Sequence, residues 1–204
     1  MSAGVVAALV GLGFGVVLVR RRSIATVLVS VQALVLGIGA LSLTDGGSSM
    51  AVAAVILLVR ALALPAIITV ATRRTREPAL VAPSQGVVVR LLVASLASLV
   101  AAVAVPPLGL SGRAAEHGAL ALLSLGIAVV AVRRPAILQV LGIIVAENGV
   151  YLLAVSVPGG IPAVIELGVL FDLVLVVTVA TAFSEKIHEK LGSGDTDLLR
   201  GLRD

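Results

Sequence analysis

Five ionisable side chains fall inside long apolar runs of the sequence: Arg60, Arg90, Glu147, Glu166 and Asp172. A charge at the centre of a hydrocarbon layer costs about 2.5–3.5 kcal/mol on insertion scales, so such residues are functional candidates by default. A carboxyl group held away from water is driven toward its neutral form, and its pKa rises toward the range in which protons exchange. Proton uptake and release is therefore the chemistry open to Glu147 and Asp172, with Arg60 as their counter-charge. Arg60 could instead neutralise one carboxylate merely to hold two helices together, but a second central carboxylate then remains. Glu166 competes for the same role from nearer a span end. Arg90 lies close to a basic segment, where its long stem lets the guanidinium snorkel to water. The amides Asn148 and Gln139 suit hydrogen bonds along or across helices.

These residues need apolar helices to position them. Crossing about 30 Å of hydrocarbon takes roughly 20 residues of helix, and the sequence supplies such runs near residues 3–19, 23–43, 50–72, 87–106, 116–132, 135–156 and 161–183. The expected fold is all-α, a polytopic transmembrane bundle of about seven spans. Open strand edges would leave backbone groups unpaired in lipid, and the alternation of a barrel strand is missing. At 1.5 Å per residue, Glu147 lies about 20 Å from Arg134, Asp172 about 18 Å from Ser184 and Arg60 about 20 Å from Arg73. All three share one depth. Pro65, just past Arg60, is expected to kink the third span.

Composition fits only this solvent. Of the 204 residues 59% are apolar and 13% charged, with a mean hydropathy of +1.19, whereas a soluble domain carries roughly 25% charged residues. There is no cysteine, which excludes disulfides, thiolate metal sites and cysteine nucleophiles. His117 and His188 stand far apart. No catalytic, metal-binding or cofactor-binding residue is expected. The first apolar segment precedes Arg20, Arg21 and Arg22 instead of following them, the reverse of a cleavable signal peptide, and reads as a retained span.

Basic residues set the orientation. Alternate breaks hold Arg20, Arg21 and Arg22; Arg73, Arg74 and Arg76; Arg133 and Arg134; and, in the tail, Lys186, Lys190, Arg200 and Arg203. The opposite loops hold Arg113 alone. The expected topology has the N-terminus outside and the C-terminus in the cytoplasm of a cell inner (plasma) membrane. The net charge of +4 belongs to these span ends and not to a nucleic-acid surface. A repeat is also visible: Val19-Arg20-Arg21, Ile24 and Val27-Leu28 recur as Val132-Arg133-Arg134, Ile137 and Val140-Leu141 at a constant offset of 113. The chain divides into a first three-span unit (1–72), a linker with a fourth, connecting span (73–115), a second three-span unit (116–183) and a polar tail (184–204), with the two units as parallel copies.

The stretch Leu141-Gly142-Ile143-Ile144-Val145-Ala146-Glu147-Asn148-Gly149, followed by Ile165-Glu166-Leu167-Gly168-Val169-Leu170-Phe171-Asp172, resembles component E of hydrogenase-4. So do Val59-Arg60-Ala61-Leu62-Ala63-Leu64-Pro65 and the tail from Asp195 to Arg203. The last three spans are also similar to the K subunit of bacterial complex I and the C subunit of multisubunit cation/proton antiporters. The resemblance implies that Glu147 and Asp172 match two glutamates of the K subunit's lateral proton path. Asp172 stands in place of Glu there, and the loop between the two spans is shorter, so Glu166 rivals it.

The resemblance implies a non-catalytic membrane subunit of a group 4 nickel–iron hydrogenase or formate hydrogenlyase-like complex. Its partners would be antiporter-like membrane subunits, the membrane anchor of a hydrogenase-like module and the lipid bilayer. No iron–sulfur or nickel ligand pattern exists on this chain to carry redox chemistry. A subunit of a cation/proton antiporter and an autonomous secondary transporter are the rivals, although the spans show no substrate-sized polar cluster and only 2% aromatic residues. A purely structural scaffold is a third.

Overall fold

The structure is a computed structural model. It describes residues 1–42, 52, 55–63, 65–66, 86–107, 112–157, 174, 177–178 and 181. Among the described residues there are five complete helices: α1 (Ala3–Leu18), α2 (Arg22–Leu41), α3 (Val87–Ala104), α4 (Arg113–Val132) and α5 (Ala136–Ser156). Residues 55–63 are helical as well, as is Pro65, and no strand occurs among the described residues. Four of the helices, α2 to α5, are long and apolar enough to cross a membrane, while α1 is apolar but shorter, at 16 residues.

These helices coincide with the first, second, fourth, fifth and sixth expected spans. Nearly half of the third and most of the seventh lie outside the described residues. The fifth begins three residues earlier than expected, so that Arg113 belongs to the first turn of α4 and not to a loop, and Glu116 sits in the same turn. Glu116 is buried there, where exposed N–H groups at a helix start favour a negative side chain.

The interior explains why both faces of these helices are apolar. On α2, Ala25, Val29, Gln32, Leu36 and Ala40 point inward, and Ile24, Val27, Val31, Leu34 and Ile38 point outward. Both sets follow helical three-and-four spacing, yet it is the inward set that contains the amide. Three buried serine and threonine hydroxyls are satisfied within their own helices: Thr26 donates to Arg22 O at 3.0 Å, Ser124 to Leu120 O at 2.8 Å and Ser156 to Leu152 O at 2.7 Å. Polar groups inside and an apolar exterior suit lipid as the solvent.

The helices pack as two hairpins laid together, α1 against α4 and α2 against α5, with α3 on the outside against α4 and α1. The tightest pair is α4 with α5. A Cβ added to Gly126 would stand 2.5 Å from Gly142 O, and one added to Gly149 would stand 2.7 Å from Ala119 O. No side chain separates the two backbones at these points. Gly142, Ala146 and Gly149 form a small-residue face on α5, the kind that lets apolar helices associate closely. With that face committed to α4, the neighbouring Glu147 and Asn148 are turned toward other elements.

Candidate functional site

Glu147 forms an ion pair with Arg60: Arg60 Nη2 donates to Glu147 Oε2. The two ends of this pair are unequal. The arginine side chain is 1% exposed and the glutamate side chain 20%, so the cation is sealed in while the carboxylate keeps an open edge. Tyr151, one helical turn beyond Glu147 and on the same side of α5, is near enough to Arg60 to interact with it electrostatically. This ion pair joins two of the residues that share one depth in the sequence.

A second polar connection adjoins it. Asn148 Nδ2 donates to Gln32 Oε1 at 2.8 Å, and Gln32 Nε2 donates to Leu9 O at 2.8 Å. Asn148 and Gln32 are fully buried. The chain of bonds ties α5 to α2 and α2 to α1, and it starts on the residue next to Glu147. Asn148 therefore acts across helices, whereas Gln139 ties the start of α5 to the turn before it, donating to Arg133 O at 2.9 Å. The remaining Asn148 acceptor, Oδ1, is buried with no hydrogen-bond partner among the described residues.

A third group lies at the arginine-rich end of the bundle. The carbonyls of α1's last turn lack helical partners, and two arginines from distant segments supply donors. Arg90 Nη1 donates to Val17 O at 3.2 Å and to Leu18 O at 3.5 Å. Arg133 Nη2 donates to Val17 O at 2.8 Å and also to Val19 O. Arg90 is 1% exposed, so it does not snorkel to water as expected from its position; the orphan carbonyls of α1 draw it inward instead. In the turn between α4 and α5, burial lowers the pKa of Arg133 to about 10, with the Arg90 and Arg20 cations adding to the effect. It stays protonated at neutral pH.

The structure thus brings Arg60 and Glu147 together. Asp172 and Glu166, the other expected proton-pathway residues, lie outside the described residues. Gln32 went unnoticed in the sequence because depth was weighed for charged residues alone. Its position ten residues into α2, about 15 Å from the arginine-rich end, was the signal that could have found it. Among the described residues, no group of three or more His, Cys, Asp or Glu side chains could hold a metal ion.

Comparison with known proteins adds a distant relative of undefined role. The chain is 30% identical over 90 residues to an uncharacterized protein of Mycobacterium tuberculosis, a match covering 44% of this chain and 41% of the relative. The chain thus spans about two-fifths of the length of the curated relative it matches. No family model matches, and no solved structure matches.

Proposed function

We propose that this chain is a non-catalytic membrane subunit of a hydrogenase-4-like, complex I-related redox complex, in which Glu147 exchanges protons between antiporter-like subunits and the redox module. Asp172, with Glu166 as its rival, completes the path, and Arg60 is the counter-charge. The observation that carries this reading is the unequal ion pair. A sealed arginine holds charge at mid-span, while its carboxylate partner retains an open edge at which a proton could arrive.

The proposal includes seven spans with the N-terminus outside, and a parallel repeat. Two features support these. The last turns of α1 and α4 meet the first turns of α3 and α5 around Val17, Arg90 and Arg133, as alternating spans require. Moved by 113 positions, α1 falls within α4, and α2 starts within one residue of α5.

The test uses membrane vesicles containing the intact complex, assayed for pH-gradient formation alongside electron transfer. Glu147→Gln preserves volume and hydrogen bonding, so the complex should assemble but lose coupling or turn over slowly. Asp172→Asn should behave likewise, with Glu166→Gln milder. Normal gradients and turnover in both the Glu147 and Asp172 variants would overturn the relay.

A scaffold role is the second reading, favoured by the same ion pair: a closed Arg–Glu contact can serve only to lock two helices. It predicts that Glu147→Gln weakens assembly with no separate effect on coupling. A tagged chain that purifies without large membrane partners would count against both readings and favour an autonomous transporter.

A further inference from the structure

We propose that the arginine-rich end of the bundle is a binding site for a phosphate group, and that its occupant is the headgroup phosphodiester of an anionic phospholipid. Arg90 reaches the site from α3 and Arg133 from the turn between α4 and α5, and both donate to Val17 O, at 3.2 and 2.8 Å. That shared acceptor holds the two donor nitrogens within about 6 Å of each other. Both side chains are more than nine-tenths buried, at 1% and 5% exposed.

The carbonyls of α1 occupy only part of each guanidinium. Arg90 Nε and Nη2 and Arg133 Nε are buried and have no hydrogen-bond partner among the described residues. Arg20, which is exposed, places a third cation within electrostatic range of both. Among the described residues no carboxylate pairs with Arg20, Arg90 or Arg133. Capping the end of α1 accounts for one donor nitrogen on each arginine, and a neutral donor could do the same. It does not account for three cations gathered without a counter-ion, nor for the idle N–H groups. An anion with several oxygens answers both, and planar N–H forks match phosphate geometry.

The level of the site decides the source. It lies at the ends of helices whose outer faces are apolar, including Leu92, Leu96 and Leu99 of α3. Phosphate at the level where apolar helices emerge is carried by lipid headgroups, and basic pockets between such helices are known takers of anionic ones. Exposed Arg20 marks the side of entry.

The experiment is native mass spectrometry and thermal unfolding of the purified full chain in neutral detergent, with phosphatidylglycerol, cardiolipin, phosphatidylcholine or inorganic phosphate added singly. Anionic lipid should stay bound and raise the unfolding temperature, and phosphatidylcholine should do neither. The Arg90→Gln/Arg133→Gln double variant keeps an amide donor for the α1 carbonyls but should lose at least about tenfold in anionic-lipid affinity. Arg21→Gln, an exposed arginine at the same end, should bind normally. Should the double variant fail to accumulate, Arg133→Lys keeps the charge and loses the fork, and it should bind more weakly than wild type. Equal lipid retention by wild type and these variants, or equal retention of phosphatidylcholine, would overturn the site. Protection by inorganic phosphate with none from lipid would overturn the lipid assignment.

Discussion

Asn148 and Gln32 stand 116 positions apart in the chain, yet the amide of one donates to the carbonyl of the other at 2.8 Å in a fully buried setting. Gln32 passes the connection on to the backbone of α1 through Leu9 O. The bond therefore joins the two hairpins of the bundle at the residue beside Glu147.

Replacing Gln32 by Leu should strand the buried amide of Asn148, while Leu9 O keeps its bond within α1. An unsatisfied buried polar group costs about 1–3 kcal/mol, so Gln32→Leu should lower the detergent unfolding midpoint clearly. Adding Asn148→Leu should recover part of the loss. A double-mutant cycle checks this; a coupling energy near zero would mean that the two amides act independently.

The Arg60–Glu147 pair should show the asymmetry of a buried ion pair. Replacing one partner by an apolar side chain, with no amide left to bond the other, costs about 3–5 kcal/mol because the remaining charge is uncompensated, whereas replacing both can be nearly neutral. Arg60→Leu should therefore accumulate poorly in the membrane, and Arg60→Leu/Glu147→Leu should accumulate better than Arg60→Leu alone. Fluorescence-detected size exclusion of tagged variants reads this directly.

The contact between α4 and α5 admits no added carbon. Gly126→Ala and Gly142→Ala each place a methyl against the opposite backbone, and overpacking of this kind costs about 1–3 kcal/mol or more. Gly11→Ala meets open space and should raise the unfolding temperature slightly, since alanine in a helix interior is favoured over glycine by about 0.5–1 kcal/mol. The comparison also controls for helix propensity, since all three replace a helical glycine by alanine.

Topology can be read by reporter fusions. With an outside N-terminus and seven spans, fusions at Gly47 and Ser193 should report opposite compartments. The same compartment for both would exclude the odd span count.

The sequence disclosed five of its expected helices and the shared depth of Arg60 and Glu147 for one physical reason. In an apolar chain the strongest signals are run length and the depth of a charge, and both can be counted along a single helix. Asn148 was readable as a cross-helix donor, but its acceptor was not. Pairing Gln32 with Asn148 requires knowing which face of α2 meets α5, and faces that are apolar all round do not declare it. Arg90 and Arg133 were hidden for a related reason. Arginines near span ends announce orientation so strongly that their service to the carbonyls of α1, fixed only by three-dimensional packing, leaves no trace in spacing.

The glycine contact has a mechanical consequence. Because α4 and α5 touch backbone to backbone, sliding one along the other would force a carbonyl over a neighbouring helix with no soft side chain to yield. They move as a single plank. Glu147 rides on that plank as a fixed post, and any rearrangement that loosens its hold on Arg60 has to come from the arginine's own segment, which is the latch.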